Sequence, residues 1–304
     1  MTRAVITLQA PAKLNLSLAV LARRSDGFHE IESLMVPVTL HDTLSLRAGP
    51  DPDVRLTVRF GGRLARPEAA SLRRDVPADE SNLVVRAARL IAAEAGETRG
   101  LEIELVKEIP SGAGLGGGSS DAAAALVGAA RAWGLDWPRE RLAELAARLG
   151  SDVPFFLVDG PAIASGRGEA LMPVKGIPAL AAVIACPAAG LSTPAVYARC
   201  VPDGGRRGTA WRLADALVAG DLGAVGDLMH NDLEPPARAL SADVVRLLEA
   251  LAAAGAVRPM LTGSGSACFA LARTAAEARG MAARLEAAGW PGVFSVNLAA
   301  GPTT

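Results

Sequence analysis

The residues best suited to chemistry fall into three groups. Pro110-Ser-Gly-Ala-Gly-Leu-Gly-Gly-Gly-Ser-Ser120 crowds glycine at 112, 114, 116, 117 and 118. Glycine lets backbone N–H groups turn inward, and a helix N-terminus adds unpaired N–H groups with a partial positive charge. The stretch follows an alternating segment, Leu101–Lys107, and leads into an Ala-rich run, Asp121–Trp133, so it reads as strand, glycine loop, helix. That arrangement is a cradle for phosphate. Lys13 lies in Ala10-Pro-Ala-Lys-Leu-Asn-Leu16, where a strand aims Lys13, Asn15 and Ser17 at one face opposite the leucines. Such a row is either a polar site on an apolar strand or a solvated lysine with polar neighbours. Asp152 follows Gly150 and precedes Val-Pro-Phe-Phe; it is either a site carboxylate or a turn aspartate.

The glycine loop admits several readings. It is not a P-loop, which needs a lysine before its closing hydroxyl. Gly112, Gly114 and Gly117 do match the dinucleotide fingerprint Gly-x-Gly-x-x-Gly. The acid that should follow at the end of the next strand is missing: Asp136 has the spacing, but Trp137-Pro138 and another helical pattern follow it. Leu101, Ile103 and Leu105 also alternate with Glu102 and Glu104, as in an antiparallel strand with one wet face. A tight turn without a ligand needs one or two glycines, fewer than stand here. Two further stretches are open in the same way. Phe28-His29, after the turn-like Arg23–Asp26, is structural or part of a site. Thr262-Gly-Ser-Gly-Ser-Ala267 is a hairpin turn or a second wall of the phosphate site.

The elements that must position these residues follow from periodicity. Leu44–Arg47 and Val54–Phe60 read as strands, and Ser81 as the N-cap of a helix over Asn82–Ala95 closed by Gly96. Pro138 suits the first turn of a helix ended by Gly150. Gly61–Asp79, rich in Arg, Pro and Ala, reads as a surface excursion, and Gly160–Gly168 as a connection into a second unit. That unit alternates strands (181–185, 260–262, 268–272, 293–297) with helices (211–219, 242–254, 275–288). Both halves read as α+β. A chain of 304 residues accommodates two domains with a substantial core. The net charge of −1 gives no basic surplus for nucleic acid and no cationic tail for a membrane. Cys186, Cys200 and Cys268 form neither a disulfide framework nor a zinc site, which fits a reducing cytoplasm. Met1–Ala10 is too short and mixed for a signal peptide, and Pro178–Leu191 reads as a buried strand, too short to span a bilayer. Oligomeric state is not legible.

Taken together, the segments resemble the GHMP kinases, the small-molecule kinases named for galactokinase, homoserine kinase, mevalonate kinase and phosphomevalonate kinase. Pro11–Leu16 looks like their first motif, Pro110–Ser120 with its Gly-Leu-Gly centre like their phosphate-binding motif, and Leu261–Ser266 like their third. Arg24-Ser-Asp-Gly-Phe-His29 and Gly150-Ser-Asp-Val-Pro-Phe155 extend the resemblance toward the branch acting on a cytidine diphosphate-linked methylerythritol. The resemblance implies a ribosomal-protein-like N-terminal domain (1–163), a ferredoxin-like C-terminal domain (164–304) and ATP as phosphoryl donor. Lys13 and Asp152 match the catalytic pair, with Asp152 as base or as a pure orienter. Asn15, His29 and Thr193, with Asp152, match substrate contacts, and Phe28 and Tyr197 stand where aromatics stack on cytosine. Phe28 often has a tyrosine counterpart, so stacking survives here but a phenolic hydrogen bond does not. Pro110, Ser111, Gly112, Ala113, Gly114, Leu115, Gly116, Gly117, Gly118, Ser119 and Ser120 match the ATP loop, and Asn82 and Lys107 match positions near adenine. No carboxylate cluster stands out as a metal site, so Mg2+ is expected to ride on ATP, near Ser119 or Ser120. The alternatives are a homoserine- or mevalonate-type kinase, a nicotinamide-dependent oxidoreductase, and a binding protein without catalysis.

Overall fold

The computed structural model describes residues 4–74 and 76–299, so the first three residues of Met1–Ala10 and Asp75 of the 61–79 excursion lie outside the described residues. Two long antiparallel strands, β1 (Ile6–Arg23) and β2 (His29–Ala48), form the spine. β3 (Val54–Phe60) lies parallel to β4 (Leu101–Lys107), with the helix Leu83–Ala95 between them in sequence, and β4 pairs antiparallel with β2. β5 (Ala162–Gly166) joins the other end of β2 and pairs with β6 (Ala170–Pro173). The chain then enters a second sheet at β7 (Ala181–Cys186) and touches the first again at β8 (His230–Asn231), parallel to β1. β9 (Met260–Leu261), β10 (Cys268–Ala272) and β11 (Gly292–Asn297) complete the second sheet. Its order is β11-β7-β10-β9, antiparallel throughout, which is the ferredoxin-like arrangement.

Side-chain alternation explains how the layers stack. Leu44 and Leu46 turn to the helices Leu83–Ala95, Gly117–Trp133 and Arg139–Leu149. Leu14, Leu16, Leu34 and Val36 lie in one core cluster with Ile184, Phe269 and Phe294 of the second sheet. Val183, Ala185 and Ala270 point the opposite way, into the helices Ala242–Ala253 and Ala275–Ala287. The molecule is therefore helices, sheet, sheet, helices, an α+β fold.

Several expectations need correction. Leu44–Arg47 is the end of a 20-residue strand. β4 keeps the alternation expected of it, but is antiparallel to β2 and parallel to β3. Asn82, not Ser81, caps the first helix: its Oδ1 accepts from Val84 N at 2.9 Å. Pro138 is the N-cap residue of Arg139–Leu149 and lies just outside it. The helix after the glycine loop begins at Gly117, earlier than the Ala-rich run suggested. The 61–79 stretch buries Leu64, Ala69 and Leu72 in the core between the sheets, so it is more than a surface excursion. Gly160–Gly168 contains β5, and sheet membership carries the first unit to Pro173, so the expected change of unit at 163/164 falls inside a strand. Short helices at Thr193–Tyr197, Leu222–Leu228 and Glu234–Leu240 had no clear periodic signal. No helix among the described residues is long and apolar enough to cross a membrane.

Candidate active site

Three segments far apart in sequence are tied together by backbone bonds. Lys13 N donates to Leu115 O at 3.0 Å, and Ala267 N donates to Ala113 O at 3.0 Å. Asn15 N donates to Thr262 Oγ1 at 3.0 Å. Glycine is required where they cross: Gly114 has φ +80°, and a Cβ there would lie 2.4 Å from Thr262 O. Gly116, at φ +72°, would drive a Cβ to 2.8 Å from Phe156 Cζ and 3.0 Å from Lys13 Cγ. Gly116 is also the N-cap of the helix Gly117–Trp133, and no side chain caps that end. The first-turn N–H groups thus have no side-chain cap, which is the kind of helix start that suits an anion.

A cavity of about 850 Å³ opens over this junction. Lys13 and Asp152 stand on its wall, Nζ to Oδ2 at 3.7 Å. Lys13 is buried, whereas the Asp152 side chain is 40% exposed. Burial lowers the pKa of the Lys13 ammonium, and the neighbouring Asp152 opposes that shift. The expected polar row of β1 is present, but turned inward: Lys13, Asn15 and Ser17 are all buried, so the lysine is not a solvated one. Asn15 spends its amide internally. Its Oδ1 accepts from Lys13 Nζ at 2.6 Å and its Nδ2 donates to Ser33 Oγ at 2.8 Å. It thereby aims the lysine.

At the other end of the cavity the rings of His29 and Tyr197 approach to 5.1 Å between centroids, with Phe28 beside them on the wall and half exposed. Partial burial, with Arg23 nearby, holds the His29 imidazole below its ordinary pKa, so it is neutral near pH 7. Burial pushes the Tyr197 phenol up, so it stays protonated. Thr193 Oγ1 and Ser264 Oγ share a hydrogen bond of 2.7 Å on the same wall.

Of the glycine loop, Gly114, Gly116 and Ser119 reach the cavity wall; the rest of Pro110–Ser120 lies beside or beneath it. Asn82 and Lys107 are elsewhere and already engaged. Asn82 caps its helix and donates Nδ2 to Pro77 O at 2.6 Å. Lys107 is buried under the loop, paired with Asp42 and with Asp121 Oδ2 at 2.7 Å. Asp42 also accepts from Glu108 N and, at 2.8 Å, from Ile109 N, fixing the strand end just before Pro110. Sequence reasoning missed Asp42, although an acid within the largely apolar stretch 34–46 was a usable signal. It also missed Asn231, whose Nδ2 donates to Leu261 O at 2.9 Å and Gly263 O at 2.8 Å, for which no periodic cue existed. Arg74 was missed as well; its Nη1 donates to Gly112 O at 2.9 Å and ties the 61–79 stretch to the loop.

The chain resembles known proteins along nearly its whole length. The model of the GHMP kinases N terminal domain matches residues 82–160, and that of the GHMP kinases C terminal domain matches 213–291. A 4-diphosphocytidyl-2-C-methyl-D-erythritol kinase of a Nocardioides species is 43% identical over 294 residues, covering 95% of this chain and 96% of the relative. One of the same name from Rhodococcus jostii is 41% identical and covers 98% and 93%. Among solved structures, a 4-(cytidine 5'-diphospho)-2C-methyl-D-erythritol kinase superposes with a TM-score of 0.78 at 35% identity, covering 97% of this chain and 100% of that one. A homoserine kinase from Cytophaga hutchinsonii shares the fold, with a TM-score of 0.74 at 21% identity, covering 99% and 96%. The inward-turned Lys13, its partner Asp152 and the glycine cradle thus sit in a small-molecule kinase, and the chain belongs to the GHMP kinase superfamily.

Proposed function

We propose that the protein transfers the γ-phosphoryl group of ATP to the 2-hydroxyl of 4-diphosphocytidyl-2-C-methyl-D-erythritol, in non-mevalonate isoprenoid synthesis. One observation carries this reading: a single cavity holds both the Lys13–Asp152 pair and the aromatic group of Phe28, His29 and Tyr197. Homoserine and mevalonate, as phosphoryl acceptors, carry no nucleobase for those rings to stack on. The names of the relatives support the same substrate.

In this reading the uncapped helix start at Gly116 and the bare backbone of the glycine loop hold the phosphates of ATP, so the rate gain comes from positioning and charge neutralisation. Asp152 accepts the proton of the substrate hydroxyl as that oxygen attacks phosphorus. Lys13, aimed by Asn15 and 3.7 Å from Asp152, steadies the developing alkoxide. His29, neutral, offers cytosine one donor and one acceptor. Ser119 faces the cavity, and the carboxylates beneath the loop, Asp42 and Asp121, are paired with Lys107, which fits Mg2+ carried on phosphate oxygens within reach of Ser119. The ion would neutralise phosphate charge during transfer. The free cysteines fit a cytoplasmic enzyme.

The test is ATP consumption with the cytidine-linked methylerythritol, its uridine analogue, homoserine and mevalonate, with product phosphorylation followed by phosphorus NMR. Turnover should be confined to the cytidine compound or favour it strongly. Equal use of a substrate lacking a base would leave only the superfamily assignment.

A further inference from the structure

We infer that Arg167 binds the diphosphate joining the two ends of the substrate, and so selects a nucleoside diphosphate-linked alcohol over a free one; this rests on the substrate class proposed above. The argument begins with placement. Arg167 occupies the turn between β5 and β6, flanked by Gly166 (φ +70°) and Gly168 (φ +112°). Its guanidinium carbon lies 4.8 Å from the centroid of the Phe28 ring, at the aromatic end of the cavity. The other side of the turn abuts the catalytic end: a Cβ on Gly168 would be 3.8 Å from Asp152 Oδ1. Arg167 therefore lines the cavity between the group that would stack on a base and the carboxylate that would meet the alcohol.

Charge points the same way. The cations on the cavity wall among the described residues are Lys13, Arg23 and Arg167. Lys13 is committed to Asn15 at 2.6 Å and Asp152 at 3.7 Å. Arg23 is exposed at the end of β1 and flanks His29. A diphosphate approaching Asp152 needs a cation to offset like-charge repulsion, and a planar guanidinium matches paired phosphate oxygens. Arg167 is free to provide it. Its own ion pair, Nε to Glu169 Oε1 at 3.7 Å, is long and one-third exposed, so exchanging it for phosphate costs little. The backbone stays fixed meanwhile, because Arg167 N donates to Glu169 Oε2 at 2.6 Å.

The experiment compares CDP with cytidine by calorimetry on the full chain, with a non-hydrolysable ATP analogue saturating the ATP site. Wild type should bind CDP about ten- to a hundred-fold more tightly than cytidine, as expected of charge-assisted hydrogen bonds. Arg167→Gln should bring CDP down to the level of cytidine while cytidine affinity holds. The KM for the cytidine-linked substrate should rise by the same factor, with the KM for ATP unchanged. Arg167→Lys should recover part of the loss, since it keeps charge without the fork. Undiminished CDP binding in Arg167→Gln overturns the inference. So does an equal loss for CDP and cytidine, which would mean that Arg167 merely supports Phe28. Wild type that binds neither ligand overturns the substrate reading itself, and the inference with it.

Discussion

Lys107→Met separates two roles for a lysine beside a phosphate loop. As a contact for ATP, its loss would weaken ATP and leave the fold alone. As an internal brace, its loss leaves Asp42 and Asp121 facing each other, both essentially inaccessible, with no cation between them. Breaking a buried pair in this way costs about 3–5 kcal/mol. At about 2–4 °C per kcal/mol, Tm should fall by roughly 6–20 °C. The direction of the pH dependence is also fixed. Burial pushes the Asp121 carboxyl up to about 8, against the pull of Lys107 and helped by repulsion from Asp42. Burial opposes the Lys107 ammonium too, yet Asp121 and Asp42 outweigh it and raise its pKa. A carboxyl whose folded pKa exceeds its unfolded value contributes stability at low pH that is lost as pH rises through the folded pKa. Removing the ammonium raises Asp121 further, so the deficit of Lys107→Met should be nearly constant from about pH 5 to 7 and grow from about pH 8 to 9.5, where Asp121 ionises in wild type but stays protonated in the variant. Thermal unfolding across that range, with ATP affinity by calorimetry, is the assay. A Tm within about 2 °C of wild type at pH 8 would refute the brace.

Asp152→Asn should lower kcat by roughly 10²–10⁴ with ATP affinity little changed, measured by steady-state kinetics and calorimetry. Gly116→Ala places a Cβ against Phe156 and the Lys13 stem at a positive φ, so it should cost about 1–2 kcal/mol of stability and depress kcat as well, read by thermal unfolding and kinetics. Tyr197→Ala should raise the KM for the cytidine-linked substrate ten- to a hundred-fold, the scale of a lost base–aromatic stack. Because the His29 pKa is lowered, that KM should stay flat from pH 8 to below the ordinary imidazole range and rise only once the ring protonates; His29→Gln should remove the acid limb.

What the sequence disclosed was local. The glycine loop, the alternation of β4 and the apolar run of β7 each carry their signal within a few residues. Lys13 and Asp152 were legible as candidates by type and position, but their 3.7 Å approach depends on the way β1 meets the loop after Gly150. The burial of Lys107 was not legible, because its partners Asp42 and Asp121 lie 65 and 14 residues away and no period links them. Asn15 shows the same limit: its type marks it as polar, but only the fold shows its amide used up on Lys13 and Ser33. Arg167 gave no signal beyond a turn between two glycines.

The two-residue strand β8 has a consequence for how such an enzyme can be inherited. His230 and Asn231 pair with Ser17 and Leu18 in the sheet of the first half, while Asn231 secures the Leu261–Gly263 turn of the second. The halves are stitched into each other rather than hung on a linker. Recombination that joined the first half of one superfamily member to the second half of another would sever this stitch and free the turn that supports Gly114. A workable chimera would have to carry β1, β8 and that turn together, so substrate range is more readily altered by changing the cavity walls than by exchanging halves.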